Sequence, residues 1–353
     1  MLTNLNINNY RIFNELEMNR LDRINLIVGK NNSGKTTLLE ALFLLAGAGN
    51  ATMALNAYVI RGPEQGVPIN QKLGETFWKP MFSALNTSKP VTITGYDATH
   101  GPLTLGITAE RQEQGTIEFP VDGPGSDLVT DLLGQRSLVF HYSGPGNKQV
   151  ESHIRIKKQV EFEPKRGALD PPFLGAIVEP RAGNTHEDAT RLGTLRKRKQ
   201  GDVLLKALKV IEPKLQNIED NSSSGTPMIW GDVGLPELIP LPAMGEGMTR
   251  IARIVLAIAA SPDGIVMLDE IETGLHHSVL PKVWEVIDTA AKQFKTQIFA
   301  TTHSFECVEA AHQSLGTNGF RLHRLEANGK ENRCVTYEPE AITAALQHPL
   351  EIR

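Results

Sequence analysis

Apolar residues along this chain fall into three kinds of run. Short, largely apolar runs occur at Arg23 to Val28, Ile265 to Leu268 and Gln297 to Thr302, the second of them unbroken. Runs of that length and composition suit strands buried on both faces of a parallel sheet. Longer runs with helical spacing cover Thr37 to Ala46, Ile251 to Ala260 and Ser278 to Phe294, with Pro281 expected in the first turn of the last. Between them, Val91–Tyr96, Leu103–Ala109, Ser137–Tyr142 and a longer stretch from Val150 to Phe162 are β-rich. They predict an antiparallel subdomain, interrupted by the Gly/Pro-rich stretch Pro120 to Gly125. Leu174–Glu179 is a further candidate strand. From Thr185 to Ile218 the period becomes helical, with Leu204, Leu205, Leu208 and Ile211 on one side. Residues 1–28 are expected to form strands, residues 49–75 loop with short helix, and Asn221 to Gly225 a loop.

This pattern predicts an α/β fold: a mostly parallel core sheet, an antiparallel β subdomain and a small helical lobe. It divides the chain into a first lobe at 1–180, a helical insertion at 181–230 and a second lobe at 231–353. No internal repeat, low-complexity tract or sustained heptad pattern fills the middle.

The junctions of these elements carry the chemistry. Gly29-Lys30-Asn31-Asn32-Ser33-Gly34-Lys35-Thr36 lies between a predicted strand and a predicted helix. This G-x-x-x-x-G-K-[ST] spacing frees backbone N–H groups of Asn31, Asn32, Ser33, Gly34 and Thr37 to wrap phosphate at a helix N-terminus. Lys35 can reach the β- and γ-phosphates, and Thr36 can place its hydroxyl on Mg²⁺. The expected cofactors are therefore ATP and Mg²⁺.

Asp269 and Glu270 close the apolar run Ile265–Leu268, at a strand end where α/β sheets bind ligands. Asp269 can hold a metal, and Glu270 can take a proton from an attacking water. Strands also end in acidic loops for purely structural reasons; pairing with the phosphate loop favours the chemical reading. His303 ends the next predicted strand, one strand–helix–strand unit later. There it can hydrogen-bond a γ-phosphate, although most histidines are ordinary surface or core residues.

Ala243-Met244-Gly245-Glu246-Gly247-Met248-Thr249-Arg250 precedes another apolar helix. Gly245 and Gly247 offer a second anion site at its start. A head-to-tail pairing of two chains accounts for two such sites, each helix start capping phosphate held by the other chain. The bland alternative is a glycine-rich turn before a core helix.

Net charge is −4 and the pI about 6.2, so the chain as a whole is not built to bind polyanions. Two cysteines, Cys307 and Cys334, do not make a disulfide scaffold. The first residues mix Asn, Arg and Glu with apolar positions, unlike a signal peptide. No run approaches the roughly 20 apolar residues that span a bilayer. A cytoplasmic protein with no membrane partner is expected. The strongest basic run, Arg196-Lys197-Arg198-Lys199, reads either as a solvated face or as a contact for DNA, RNA or an acidic partner, with Lys157, Lys158, Lys165 and Arg166 as candidate extensions. Trp78, Trp230 and Trp284 are too scattered for base stacking.

The ordered set GKNNSGKTT, MGEGMTR, IVMLDEIETGLHH and TTHS resembles the ABC-type ATPase heads of the SMC/RecF group, and more closely the stand-alone bacterial AAA-type, OLD-like ATPases. Leu5 to Phe13 resembles that group's opening strand, and Leu350 to Arg353 its close; the middle is less similar. The resemblance implies a P-loop NTPase with an ABC-like head. It implies phosphate and Mg²⁺ binding by Lys35, Thr36 and Asp269, Glu270 as catalytic base and His303 as γ-phosphate sensor. Gly245, Glu246 and Gly247 become the signature that meets ATP across a dimer. Thr273 and Gly274 fall in the loop linking the two sites, and Arg11 near the nucleotide. There are departures. Met-Gly-Glu-Gly-Met replaces a serine and paired glycines, so that either Glu246 points away or Arg250 and Arg253 offset it. His276 stands where such heads often carry Asp, and no Mg²⁺-sensing glutamine can be assigned.

The resemblance implies a Mg²⁺-dependent ATPase switch that forms a homodimer, or a higher oligomer, and controls a separately encoded effector such as a Toprim or HNH nuclease in anti-phage defence. The stretch after His303 has no D-x-D pair and reads as one helix, a hairpin and a tail, so no nuclease of its own is expected. The alternatives are a RecF-like DNA-repair ATPase that clamps DNA directly and, in a different class, the ATPase subunit of a transporter. A small-molecule kinase leaves MGEGMTR unexplained.

Overall fold

The computed structural model describes residues 1–51, 53, 79–111, 136–156, 160–164, 171, 173–180, 183–221, 227–316, 319–328 and 331–347. Pro120 to Gly125, most of 49–75, Trp78, Lys157, Lys158, Lys165, Arg166, most of the Asn221–Gly225 loop and the Leu350–Arg353 close lie outside them.

In chain order the strands and helices are β1 (Leu2–Tyr10), β2 (Phe13–Asn19), β3 (Ile24–Val28), α1 (Lys35–Ala46), β4 (Val91–Asp97), β5 (Gly101–Arg111), β6 (Arg136–Ser143), β7 (Gln149–Ile156), β8 (Val160–Pro164) and β9 (Gly175–Val178). They continue as α2 (Thr185–Lys197), α3 (Asp202–Leu208), β10 (Asn217–Asn221), β11 (Met228–Asp232), β12 (Ile239–Pro240), α4 (Glu246–Ala260), β13 (Ile265–Leu268), α5 (Leu280–Phe294), β14 (Gln297–Thr301), α6 (Phe305–Leu315), β15 (Phe320–Asn328), β16 (Glu331–Tyr337) and α7 (Pro339–Gln347).

The core is a six-stranded sheet in the order β16-β15-β3-β14-β13-β9. All its pairings are parallel except that of the edge strand β16. Both faces are covered, as the short, largely apolar runs require. Ile24, Leu26, Val28, Val266, Leu268, Ile298 and Ala300 pack with α4, α5 and α6. Ile27, Ile265, Met267 and Phe299 pack with α1 on the opposite face. α1 is buried along nearly its whole surface because it is sandwiched between this sheet and a second one.

That second sheet has seven antiparallel strands in the order β2-β1-β4-β5-β6-β7-β8. The stretch predicted from Val150 to Phe162 is here two strands, β7 and β8, folded back on each other. The helical stretch from Thr185 ends earlier than its period suggested: β10 takes over at Asn217 and pairs with β11, which pairs in turn with β12. The tail after the β15–β16 hairpin carries the additional helix α7. α4 begins at Glu246, so Glu246 and Gly247 lie in its first turn rather than in a loop before it. Pro281 occupies the first turn of α5, as expected. No described helix is long and apolar enough to cross a membrane.

Candidate nucleotide and cation site

The carboxyl ends of β3, β13 and β14 meet at one edge of the parallel sheet, and the chemistry-bearing residues collect there. Gly34 initiates α1 with φ 100°, a left-handed conformation that suits glycine. A Cβ on Gly34 would come within 2.5 Å of Phe13 Cζ and 3.1 Å of Ile12 Cδ1. The tip of the β1–β2 hairpin therefore lies directly on the phosphate loop. A cleft of ≈ 460 Å³ opens beside it, lined by Ile12, Asn31, Asn32, Gly34, Lys35, Thr36, Thr37 and His303. Ser33, from the same loop, is buried.

Lys35 donates to the carbonyls of Gly29 at 2.7 Å and Lys30 at 3.0 Å. Burial lowers its pKa to about 8, against the opposing pull of Asp269, Glu270 and Glu272. The hydroxyl of Thr36 lies 3.1 Å from Oδ2 of Asp269, so residues 233 positions apart converge. Asp269 Oδ1 accepts from the hydroxyl of Thr301 at 2.6 Å, and the Glu270 N–H donates to that same hydroxyl oxygen at 2.9 Å. Thr301 thus orders both acids. It escaped notice in the sequence because a threonine ending a strand is unremarkable.

Glu270 has φ 44°, a conformation unusual for a non-glycine residue. Its Oε2 accepts from Thr273 at 3.3 Å, and its Oε1 is 3.9 Å from His303 Nε2. The backbone N–H of His303 donates to Glu272 at 2.8 Å, a residue the motifs did not single out. Glu179, just past the end of β9, is a further acid beside the site: burial first, then the charge of Asp269, raises its pKa. The signal for it was the LGAIVE run, whose place next to β13 only the tertiary fold reveals.

Thr36 and Asp269 suit a hard divalent cation: one hydroxyl, one carboxylate and space beside a phosphate loop. Among the described residues no group of three or more His, Cys, Asp or Glu side chains forms a cation cage. A cation here would complete its shell with nucleotide oxygens and water, as Mg²⁺ ordinarily does.

Gly245, Glu246 and Gly247 do not line this cleft. Gly245 has φ 116°, and a Cβ built on it would meet nothing within 4 Å. Glu246 leans on the linking loop instead: a Cβ on Gly274 would lie 2.8 Å from Glu246 Cγ. Neither arginine offsets it, contrary to one expectation. Arg253 faces Asp188 at 3.5 Å. Arg250 is buried and donates to the backbone oxygens of Glu179, Asp269 at 2.6 Å and Glu270 at 3.2 Å. Its burial, with Arg253 nearby, lowers its pKa to about 10, which leaves it charged at neutral pH.

Arg11 is expected near the nucleotide, and its neighbour Ile12 lines the cleft. Arg11 itself does not line the cleft but pairs its Nε with Glu40 Oε2 at 2.9 Å, inside α1. His276, in the linking loop, uses its ring to accept the N–H of Ser278 at 3.3 Å. Of the basic run, Arg196 is committed to Asp220 and the carbonyl of Ile218, whereas Lys197, Arg198 and Lys199 are exposed.

Two family models match the sequence. One, described as "AAA domain, putative AbiEii toxin, Type IV TA system", covers residues 147–309. The other, described as an AAA ATPase domain, covers residues 1–89. An ATP/GTP phosphatase of Helicobacter pylori is 25% identical over 347 residues, spanning 91% of this chain and 90% of that protein. The DNA replication and repair protein RecF of Bacillus cereus is 35% identical over 72 residues, which covers 20% of this chain and only 19% of RecF. Among solved structures, an SMC head bound to the C-winged helix domain of ScpA superposes with a TM-score of 0.51 at 11% identity, over 97% of this chain and 99% of that one.

Proposed function

Taking the chain as an AAA-type ATPase with an SMC/RecF-like head, we propose that it is a nucleotide-dependent switch working as a head-to-tail homodimer. ATP occupies the cleft beside α1, its phosphates wrapped by the N–H groups of residues 31–37 and by Lys35. Mg²⁺ held by Thr36 and Asp269 would neutralise charge on the transferred phosphoryl group. Glu270 accepts a proton from the attacking water, and His303, which lines the cleft, hydrogen-bonds the γ-phosphate. Gly245, Glu246 and Gly247 contact the ATP of the partner copy.

One observation carries the dimer. The start of α4 has the positive-φ glycine of an anion-binding helix terminus and no side-chain cap; a Cβ on Gly245 would meet nothing within 4 Å, and the terminus stands outside its own chain's cleft. A second copy in reverse orientation supplies the missing phosphate. Hydrolysis then removes the group that bridges the two chains and loosens the pair.

The output of such a switch is control of a separately encoded effector, such as a Toprim or HNH nuclease acting in defence. The family description that mentions a toxin–antitoxin system supports this direction. A second reading, a head that clamps DNA itself, draws on exposed Lys197, Arg198 and Lys199.

Glu270→Gln tests the switch. The variant should bind ATP and Mg²⁺, turn over slowly and accumulate as a dimer in size-exclusion chromatography with light scattering. A variant that stays monomeric at saturating ATP rules the head-to-tail arrangement out. Lys197/Arg198/Lys199→Ala that binds duplex DNA as well as the parent removes the clamp reading.

A further inference from the structure

Arg250 lies in the second turn of α4, the helix whose start is assigned above to the partner's nucleotide, and it is only 2% exposed. Its partners are backbone oxygens rather than carboxylates. One guanidinium gathers the carbonyls of Asp269 and Glu270 after β13 and of Glu179 after β9. These carbonyls lie just past the ends of the two strands, where the parallel ladder gives out.

The Asp269–Glu270 link is consequently held from two directions. Arg250 donates to the carbonyls of both residues, while Thr301 accepts the Glu270 N–H and donates to the Asp269 carboxylate. Glu270 is kept in a left-handed conformation that a non-glycine residue rarely adopts unless its surroundings impose it. The direction of its carboxylate follows from that backbone. Burying an arginine costs free energy that an apolar side chain of similar volume would not. Its fork of donors does what an apolar side chain cannot: it fixes several acceptors on separate segments at once.

We propose that Arg250 is a positioning residue that couples the two nucleotide sites of the dimer: contact of the α4 start with the partner's nucleotide is relayed through Arg250 to the catalytic carboxylate of its own chain. The inference rests on the head-to-tail reading above. A shift or rotation of α4 moves the guanidinium and with it the carbonyls of Asp269 and Glu270. ATP bound to one copy thereby readies the other copy's Glu270, and hydrolysis becomes cooperative. The linking loop reaches one of these acceptors, the Thr273 N–H donating to the Glu270 carbonyl at 3.0 Å, whereas Arg250 ties that carbonyl to those of Asp269 and Glu179 as well.

The test uses the full chain with Arg250→Lys and Arg250→Met. Binding of a fluorescent ATP analogue, the rate of phosphate release and the Hill coefficient for ATP are measured for each. Expected are an affinity within about twofold of the parent and a kcat reduced about 10- to 100-fold, the scale of a misplaced catalytic group. The Hill coefficient should fall to one, and Lys should recover part of the rate that Met loses. Lys alone decides the matter if Met does not fold. A parental kcat and Hill coefficient in Arg250→Lys overturn the proposal, as does a loss of affinity equal to the loss of rate. Failure of the dimer reading looks different: the parent itself then turns over as a monomer with a Hill coefficient of one.

Discussion

The Thr301 hydroxyl donates to Asp269 Oδ1 at 2.6 Å while accepting the N–H of Glu270 at 2.9 Å. One uncharged side chain thus orients the proposed metal ligand and the proposed base together. Thr301→Val keeps the shape and removes both bonds. Supporting bonds of this kind typically contribute about 10- to 100-fold to metal affinity. Mg²⁺ or Mn²⁺ titrations of the nucleotide complex should show a loss of that size. A variant that titrates like the parent would mean that Thr301 has no part in ordering the site.

Gly34→Ala should damage the nucleotide loop and the seating of the β1–β2 hairpin tip on it together. The φ of 100° disfavours any Cβ, by about 1–2 kcal/mol for left-handed backbone. The added methyl would also press on the Phe13 ring at 2.5 Å. Expected are a lowered melting temperature and lost binding of a fluorescent ATP analogue. Parental values for both would contradict the seating of the β1–β2 hairpin on this loop.

How much of this was written in the sequence depends on the range of the interactions concerned. The phosphate loop, the Ile265–Leu268 strand and the Gly-Glu-Gly helix start are local: their residue types satisfy backbone geometry within one or two turns, so spacing alone reveals them. Thr301, Glu179 and Arg250 are ordinary residues locally and matter only because β9, β13 and β14 lie side by side. The basic run illustrates the same limit. Arg196 looked like part of a charged face until Asp220, on β10, proved to claim it. The split of Val150–Phe162 into two strands was hidden because both halves are equally β-rich.

Arg11→Met should act on stability more than on nucleotide affinity. Glu40 is fully buried in α1, with the Arg11 Nε 2.9 Å from its carboxylate. Removing one partner of a buried pair costs about 3–5 kcal/mol, whereas replacing both by apolar groups costs far less. Urea unfolding should show the single variant strongly destabilised and Arg11→Met/Glu40→Leu partly restored. An equally stable single variant with weakened ATP binding would instead return Arg11 to the nucleotide.

Acid should unfold the protein partly through His323. Burial, with Arg321 nearby, pushes its pKa down to about 3, and its ring bonds Thr336 at 3.0 Å and Asn25 at 3.3 Å. An unfolded histidine titrates near 6.5. Between those values only the unfolded chain takes up the proton, so stability is full above pH 6.5 and declines as pH falls. The slope is about 1.4 kcal/mol per pH unit, or about 2 kcal/mol at pH 5. His323→Gln, measured by urea unfolding at pH 7, 6 and 5, should show a shallower decline. Parallel slopes in variant and parent would exclude this origin.

The amine of Lys35 bonds two carbonyls of its own loop, those of Gly29 and Lys30. An ammonium carries three protons, so two hold the loop's backbone while the third stays available. On the proposed reading the same side chain would pin the loop from inside and meet a phosphate oxygen from outside, without giving up either internal bond.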